Sequence, residues 1–159
     1  MRRVRAQAEL KIDRGGNSGV LYLAQAVPEA PLLYQSGLEM QILDTAVHPD
    51  GRIATNRARA LYDMTVPPAG AARSAGHWDY ALLVVERGRV RQWLNGVPTA
   101  DVRYGGTTWQ RRLAVSKFRD MRFFGTCARG AIGLQDHGNP VEFANIKLRR
   151  LGGTALPPR

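Results

Sequence analysis

Short stretches of alternating apolar and polar residues, separated by turn residues, recur along most of this chain of 159 residues. The stretch 6–12 reads AQAELKI and the stretch 37–44 reads GLEMQILD. A period of two places successive side chains on opposite faces of a β-strand. Helical periodicity is scarce, and the best helical turn lies within 109–118. The pattern therefore predicts an all-β protein built as a β-sandwich or jelly roll.

Further strands are predicted at 17–23, 80–86, 130–136 and 141–151. The Asn95-Gly96 pair favours a type I′ hairpin turn. Both faces of the stretch 80–86 are apolar, which is typical of a strand buried between two layers. Around Asn145 the apolar phase shifts, because Phe143 and Ile146 share one face only if a β-bulge lies between them.

The length and the composition favour one domain with a hydrophobic core, since 44% of the residues are hydrophobic. We predict a single domain over 1–151 and a tail at 152–159, where Gly and Pro are frequent. Cys127 is the single cysteine. An intramolecular disulfide and a cysteine-based metal cluster are therefore excluded.

The formal net charge of +10 raises the question of nucleic-acid binding. The arginines are scattered, however, and no recognition helix, zinc finger or aromatic RNA-binding signature accompanies them. No apolar run is long enough to span a bilayer, and the opening residues lack the apolar stretch of a secretory signal. We predict neither a nucleic-acid nor a membrane partner, and the localisation stays unassigned.

Three of the predicted strands carry polar or aromatic side chains on one face: Glu39 and Gln41, Trp93 and Asn95, and Gln135 and His137. A curved sheet with such a face suits a sugar, because hydroxyls need paired polar groups and the sugar ring stacks on an aromatic plane. The alternative is a half-exposed sheet with ordinary solvated residues, in which 135–139 forms an Asx-type turn.

Five sequence blocks in collinear order resemble the 3-keto-disaccharide hydrolase family, from about Ala6 to Leu151. The blocks are GGNSGV (15–20), EMQILD (39–44), GHWDYALLVVERGRVRQWLNGV (76–97), AVSKF (114–118) and GAIGLQDHGNPVEFANIKL (130–148). The resemblance implies a concanavalin-like jelly roll related to laminin-G and glucanase sandwiches. Family members are often secreted or periplasmic, and they usually carry an additional N-terminal segment, so the resemblance implies an N-terminally shortened domain.

The resemblance also implies an enzyme that cleaves the glycosidic bond of 3-keto-glycosides or 3-keto-disaccharides. Glu39 is then the first choice for the base and His137 for the acid or the enolate donor, and these two roles are interchangeable. The residues expected to bind substrate are Asn17, Gln41, Trp93, Asn95, Lys117 and Gln135. Asp44 and Asp136 would orient a histidine or bind a divalent cation, and no other cofactor is indicated.

Three alternatives stay open from the sequence. One is direct hydrolysis by two carboxylates. Another is a carbohydrate-binding or interaction module that keeps the fold without the chemistry. The third is a homo-oligomer. A jelly roll without an early strand exposes the edge of a neighbouring strand, and such an edge favours pairing with another copy of the chain.

Overall fold

The computed structural model describes residues 3–151, and the predicted tail at 152–159 lies outside them. Within this part of the chain, eight strands form two antiparallel sheets. The elements are β1 (Arg3–Ile12), β2 (Asn17–Ala24), β3 (Leu38–Leu43), β4 (Asp79–Glu86), β5 (Arg89–Leu94), β6 (Val97–Arg103), helix α1 (Thr107–Val115), β7 (Ala131–Leu134) and β8 (Val141–Leu151).

The two sheets pack as a sandwich, which confirms the predicted all-β architecture. The five-stranded sheet has the order β6-β5-β4-β1-β8, and the three-stranded sheet has the order β3-β2-β7. Alternate side chains of the first five strands meet in the core between the sheets: Leu10 and Ile12 from β1, Val20 and Tyr22 from β2, Leu38, Met40 and Ile42 from β3, Leu83 and Val85 from β4, and Val90 and Leu94 from β5. The opposite faces of the strands are therefore free for other contacts.

One polar pair lies in this core. Gln92 is fully buried, and its Nε2 donates a 2.8 Å hydrogen bond to the hydroxyl of Tyr22 in the facing sheet. Burial raises the pKa of the Tyr22 hydroxyl far above its usual range. The hydroxyl therefore stays protonated, and the bond links β5 to β2 across the sandwich.

The hairpin and the bulge form where the sequence predicts them. Asn95 and Gly96 both have positive φ, 49° and 80°, as a type I′ turn requires. Asn145 has φ 49°, and the pairing of β8 with β1 shifts there, so that Asn145 and Ile146 lie opposite Ala8 alone. The predicted helical turn is also present, as α1.

The prediction that β4 is buried between two layers is only half right. Leu83 and Val85 face the core, but Tyr80 on the other face is 36% exposed. The reason is architectural, because a two-layer sandwich covers one face of each sheet and leaves the other face without a second layer.

Two irregular connections, 44–78 and 116–130, cover the outside of the three-stranded sheet. The first runs beside β3, where the Gln41 N–H donates to Ala60 O, the Arg59 N–H to Gln41 O and the Tyr62 N–H to Glu39 O. The free edge of β3 is therefore covered. No helix in the part of the chain that the structure describes is long and apolar enough to cross a membrane.

The second connection is held in place by aromatic packing. The rings of Phe118 and Phe124 are stacked with their centroids 3.9 Å apart, and Trp109 of α1 stacks on Phe124 at 5.9 Å. All three side chains are nearly fully buried. This cluster fixes the chain on both sides of residue 117, which is next to Phe118.

Candidate active site

A polar cleft of about 400 Å³ lies on the outer face of the three-stranded sheet. Its lining residues are Asn17, Tyr34, Glu39, Gln41, Asp50, Tyr62, Lys117, Met121, Gln135 and His137. β2, β3 and the turn after β7 supply the floor, and the two irregular connections and the turn around Tyr34 supply the walls. The volume is in the range that small-molecule sites occupy.

Strand alternation explains the floor. Leu38, Met40 and Ile42 face the core, so Glu39 and Gln41 project to the opposite face of β3. Gly19 of β2 is paired with Gln41 and leaves room for the neighbouring acid, since a Cβ at Gly19 would collide with the Glu39 carboxylate. The glycine is therefore part of the site, because it leaves the space beside β2 that the Glu39 side chain occupies.

Burial controls the charge state of Glu39. The residue is 5% exposed, and burial raises its pKa from 4.5 to about 7, while the nearby Lys117 ammonium opposes the rise. No hydrogen-bond donor within residues 3–151 contacts its carboxylate, so the pKa reflects lost hydration more than local bonding. A carboxyl group with such a pKa can both accept and donate a proton near neutral pH.

Lys117 brings positive charge to the opposite wall. Its backbone N–H donates to Asp63 Oδ2 at 2.7 Å, and its Nζ lies 4.0 Å from the centroid of the Tyr62 ring. Burial lowers the pKa of Lys117, whereas Glu39, Asp63 and Asp50 oppose that change. The cleft therefore combines one cation with a carboxyl group that titrates near neutrality.

Three amide oxygens face the cleft without a protein partner. Asn17 Oδ1, Gln41 Oε1 and Gln135 Oε1 are all buried, and none accepts a hydrogen bond from the described residues. Buried polar atoms are almost always hydrogen-bonded in native proteins. These oxygens are therefore suited to accept hydrogen bonds from the hydroxyls of a ligand.

The polar stretch after β7 is fixed to the sheet by backbone hydrogen bonds. The Gln135 N–H donates to Gly19 O at 2.9 Å, and the Ser18 hydroxyl donates to Gln135 O at 2.7 Å. Asp136 Oδ1 accepts from the Gly138 N–H at 2.7 Å, which is an Asx turn. Asp136 shapes this turn, and the exposed His137 stands at the rim of the cleft.

The structure does not bring Trp93 and Asn95 to this cleft. Because Gln92 and Leu94 point into the core, Trp93 lies on the outer face of the five-stranded sheet, where Arg91 packs over its ring. Asn95 closes the hairpin, with its Oδ1 accepting from the Tyr80 N–H at 2.9 Å. Their expected contact with the same ligand as Glu39 is therefore not supported by their positions.

Asp44 has a structural position as well. Its Oδ2 accepts from the Gly15 N–H and its Oδ1 from the Ala46 N–H, at 2.9 and 3.2 Å. Both oxygens thus stabilise the turns on either side of the β2–β3 pair. Across residues 3–151, no three His, Cys, Asp or Glu side chains are grouped so as to hold a metal ion.

Tyr34, Asp50, Tyr62 and Met121 line the cleft but are not predicted as ligand-binding residues from the sequence. Asp50 lies in the connection after β3, and its Oδ2 accepts a hydrogen bond from the Tyr62 hydroxyl at 3.2 Å. The other three come from irregular segments without a period that would give their direction.

Comparison with known proteins gives the chain a wider context. A family model described as a 3-keto-alpha-glucoside-1,2-lyase-like domain matches residues 2–149. A 3-keto-disaccharide hydrolase of Bacteroides thetaiotaomicron is 31% identical to this chain over an alignment of 166 positions, gaps included, that covers 91% of this chain. The chain spans 57% of the length of this curated relative.

Solved structures show the same fold. A crystal structure from Parabacteroides distasonis, described as that of a candidate glycosyl hydrolase, superposes with a TM-score of 0.86 at 27% identity and covers 94% of this chain and 72% of the other. A second structure from the same organism, at 20% identity, has a TM-score of 0.71 over 93% of this chain and 78% of the other, and supports the fold alone.

Proposed function

This chain belongs to the family described as the 3-keto-alpha-glucoside-1,2-lyase-like domain, and on that premise we propose that it cleaves the glycosidic bond of 3-keto-glycosides or 3-keto-disaccharides. The observation that carries the proposal is the buried Glu39, whose pKa is about 7, in a cleft that also contains Lys117, His137 and unpaired amide oxygens. A 3-keto sugar offers hydroxyls to the amide oxygens and, next to its carbonyl, an acidic C–H proton to the carboxylate.

The chemistry follows from the carbonyl at carbon 3. A base removes the proton on carbon 2, and the electron pair of that C–H bond forms an enolate whose charge is on the carbonyl oxygen. When the carbonyl re-forms, the bond from carbon 1 to the glycosidic oxygen breaks, a carbon 1–carbon 2 double bond remains, and the leaving oxygen takes a proton. Water then adds across that double bond, which completes a net hydrolysis. The route needs a base, an acid and a donor for the enolate oxygen.

The cleft offers a residue for each role. Glu39 is the base on carbon 2, and His137 is the acid for the leaving oxygen or a donor to the enolate. Glu39 and His137 can also exchange these roles. Gln41, Gln135 and Asn17 accept hydrogen bonds from sugar hydroxyls, and Lys117 binds an oxygen of the substrate. If Glu39 is the base, turnover rises with pH through about 7, because only its carboxylate form accepts a proton.

The test is turnover of 3-keto-disaccharides by purified protein. We expect release of 3-keto-glucose, and we expect Glu39→Gln and His137→Ala each to lower turnover at least about a hundredfold, as loss of an acid or base does. In deuterated water, elimination and hydration place deuterium on carbon 2 of the product, whereas direct hydrolysis by two carboxylates does not.

Matched controls exist for both substitutions. Glu142→Gln removes an exposed carboxylate that pairs with Lys11, and His77→Ala removes an exposed histidine next to Ser74. Both controls should keep parental turnover. Near-parental turnover of Glu39→Gln and His137→Ala would refute the assignment, and tight binding of the sugar without any turnover would favour a carbohydrate-binding module instead.

A further inference from the structure

The Lys117 ammonium is held by aromatic rings. Its Nζ lies 4.0 Å from the centroid of the Tyr62 ring and 5.2 Å from that of Phe118. Within the residues that the structure describes, no carboxylate lies at ion-pair distance from this nitrogen. An ammonium packed on a ring face keeps its N–H donors available, whereas a bound carboxylate would occupy them and neutralise the charge.

Three contacts fix the position of Tyr62, one through its backbone, one through its hydroxyl and one through its ring. Its backbone N–H donates to Glu39 O at 3.0 Å, which attaches it to β3. Its hydroxyl donates to Asp50 Oδ2 at 3.2 Å, and its ring makes an edge contact with Phe118 at a centroid distance of 6.2 Å. The ring that supports the ammonium therefore has a defined position relative to the strand that carries Glu39.

We propose that Tyr62 is a positioning residue that holds the Lys117 ammonium over the cleft by a cation–π contact, so that Lys117 donates to the enolate oxygen when Glu39 removes the carbon-2 proton. This inference rests on the proposed cleavage of 3-keto-glycosides. A preorganised cation stabilises the enolate more than the neutral ketone, because the oxygen gains charge only as the proton leaves.

The charged surroundings of Lys117 determine the pH range in which this donor works. Glu39 from β3 and Asp50 and Asp63 from the connection 44–78 favour the ammonium form, while burial lowers the pKa of Lys117. The ring of Tyr62 also favours the ammonium form, because its π face attracts the cation. Loss of the ring should therefore lower the pKa of Lys117 further. His137 and Tyr34 line the same cleft.

The experiment compares two substitutions at one position. Tyr62→Phe keeps the ring and removes the hydroxyl, and Tyr62→Leu removes the ring. We expect Tyr62→Phe to keep kcat within about threefold and Tyr62→Leu to lower kcat about tenfold, the range of a partly desolvated cation–π contact. The alkaline limb of the kcat profile should move to lower pH in Tyr62→Leu alone, with KM little changed.

A purely structural role for Tyr62 predicts a different result. Both variants would then lose activity in proportion to their stability, and the alkaline limb would stay where it is, which would overturn the proposal. In a Lys117→Met background, Tyr62→Leu should cause no further loss of kcat, since the cation that the ring holds is already absent. An undiminished effect in that background would also count against the proposal.

A measurement without turnover separates this inference from the proposed function. The pKa of Lys117, followed by NMR of isotopically labelled lysine side chains, should fall in Tyr62→Leu and change little in Tyr62→Phe. If Tyr62→Leu does not fold, fluorinated phenylalanines at position 62 weaken the π face in steps and should lower that pKa in the same order. An unchanged pKa refutes the contact even if the protein cleaves 3-keto-disaccharides. A shifted pKa in a protein that does not cleave them refutes the proposed function, and with it the enolate role of Lys117.

Discussion

Glu39 is destabilising for the folded protein whenever it is ionised. Below pH 4.5 the residue is protonated in both the folded and the unfolded chain and contributes nothing to the pH dependence. Between 4.5 and about 7 the unfolded chain releases a proton that the folded chain keeps, so stability falls as the pH rises. Above about 7 the loss is complete. An acid kept at this cost in the floor of a cleft indicates a functional constraint.

Glu39→Gln should therefore stabilise the protein in a pH-dependent way. At pH 8 we expect its free energy of unfolding to exceed that of the parent by on the order of 3 kcal/mol, and at pH 4 we expect the two to be nearly equal. Urea denaturation at the two pH values measures the difference. A difference that is the same at both pH values would show that the change in packing, and not the buried charge, is responsible.

At the residue scale, the sequence predicts the floor of the site better than its walls. Glu39, Gln41 and Gln135 lie on or directly beyond strands whose alternation gives their direction, and all three line the cleft. Tyr62 and Tyr34 come from irregular chain, where only long-range contacts decide which way a side chain points. The aromatic wall was therefore not predictable from local pattern.

At the element scale, the three-stranded sheet is the scaffold of the cleft, and Gly19 is the position in it that contacts the Glu39 side chain. A methyl group at this residue would collide with the Glu39 side chain, which cannot move away without leaving its place on the floor. We expect Gly19→Ala to lower turnover at least about tenfold while leaving the fold intact, since even small misplacement of a catalytic group is costly. Steady-state kinetics together with thermal denaturation measure both quantities.

Gly133 supplies the matched control in the same sheet. Gly133 of β7 is paired with Leu21 of β2. An added Cβ would come within 3.3 Å of the flexible end of Leu33 and would meet Leu21 at ordinary contact distances of 3.7 and 4.0 Å. Gly133→Ala should keep parental turnover. If Gly19→Ala is equally active, the carboxylate tolerates displacement and its position on β3 is not the determining feature of the site.

Strand alternation predicts the face on which a residue lies but not the sheet that its strand joins, as Trp93 and Asn95 illustrate. The sequence places the two residues on one face of β5, and Gln92 on the other face is indeed fully buried. Alternation does not say which sheet a strand joins, however, and β5 joins the five-stranded sheet instead of the one that carries Glu39. Sheet membership depends on long-range pairing, for which the sequence has no local signal.

At the scale of the whole molecule, one side of the sandwich is open. In the described part of the chain, β8 pairs with β1 alone and β7 with β2 alone, so each sheet ends in a free edge. Between these edges lies an apolar cavity of about 290 Å³, beside which Leu134, Ile146 and Leu148 are 44%, 55% and 63% exposed. Free edges beside exposed apolar side chains favour association with another chain.

We therefore expect the purified chain of 159 residues to self-associate, despite its net charge of +10. Leu148→Lys should weaken association, because it places a charge beside the apolar cavity between the two free edges. Light scattering over a concentration series measures the change. Val115→Lys is the control, since Val115 on α1 is 84% exposed and does not line the apolar cavity. A soluble monomer with a cooperative thermal transition, or equal effects of both substitutions, would contradict this expectation.

The division of the cleft into a regular floor and irregular walls has a consequence for how such proteins diversify. A residue of the floor is coupled to strand pairing and to the core beneath it, so few substitutions are acceptable there. The connections 44–78 and 116–130 are anchored at particular points, among them Tyr62 and Phe118, and the exposed loop segments between such anchors accept insertions and deletions. If the proposed function holds, sugar preference can thus change through the segments between these anchors while Glu39, Lys117 and Tyr62 keep their places.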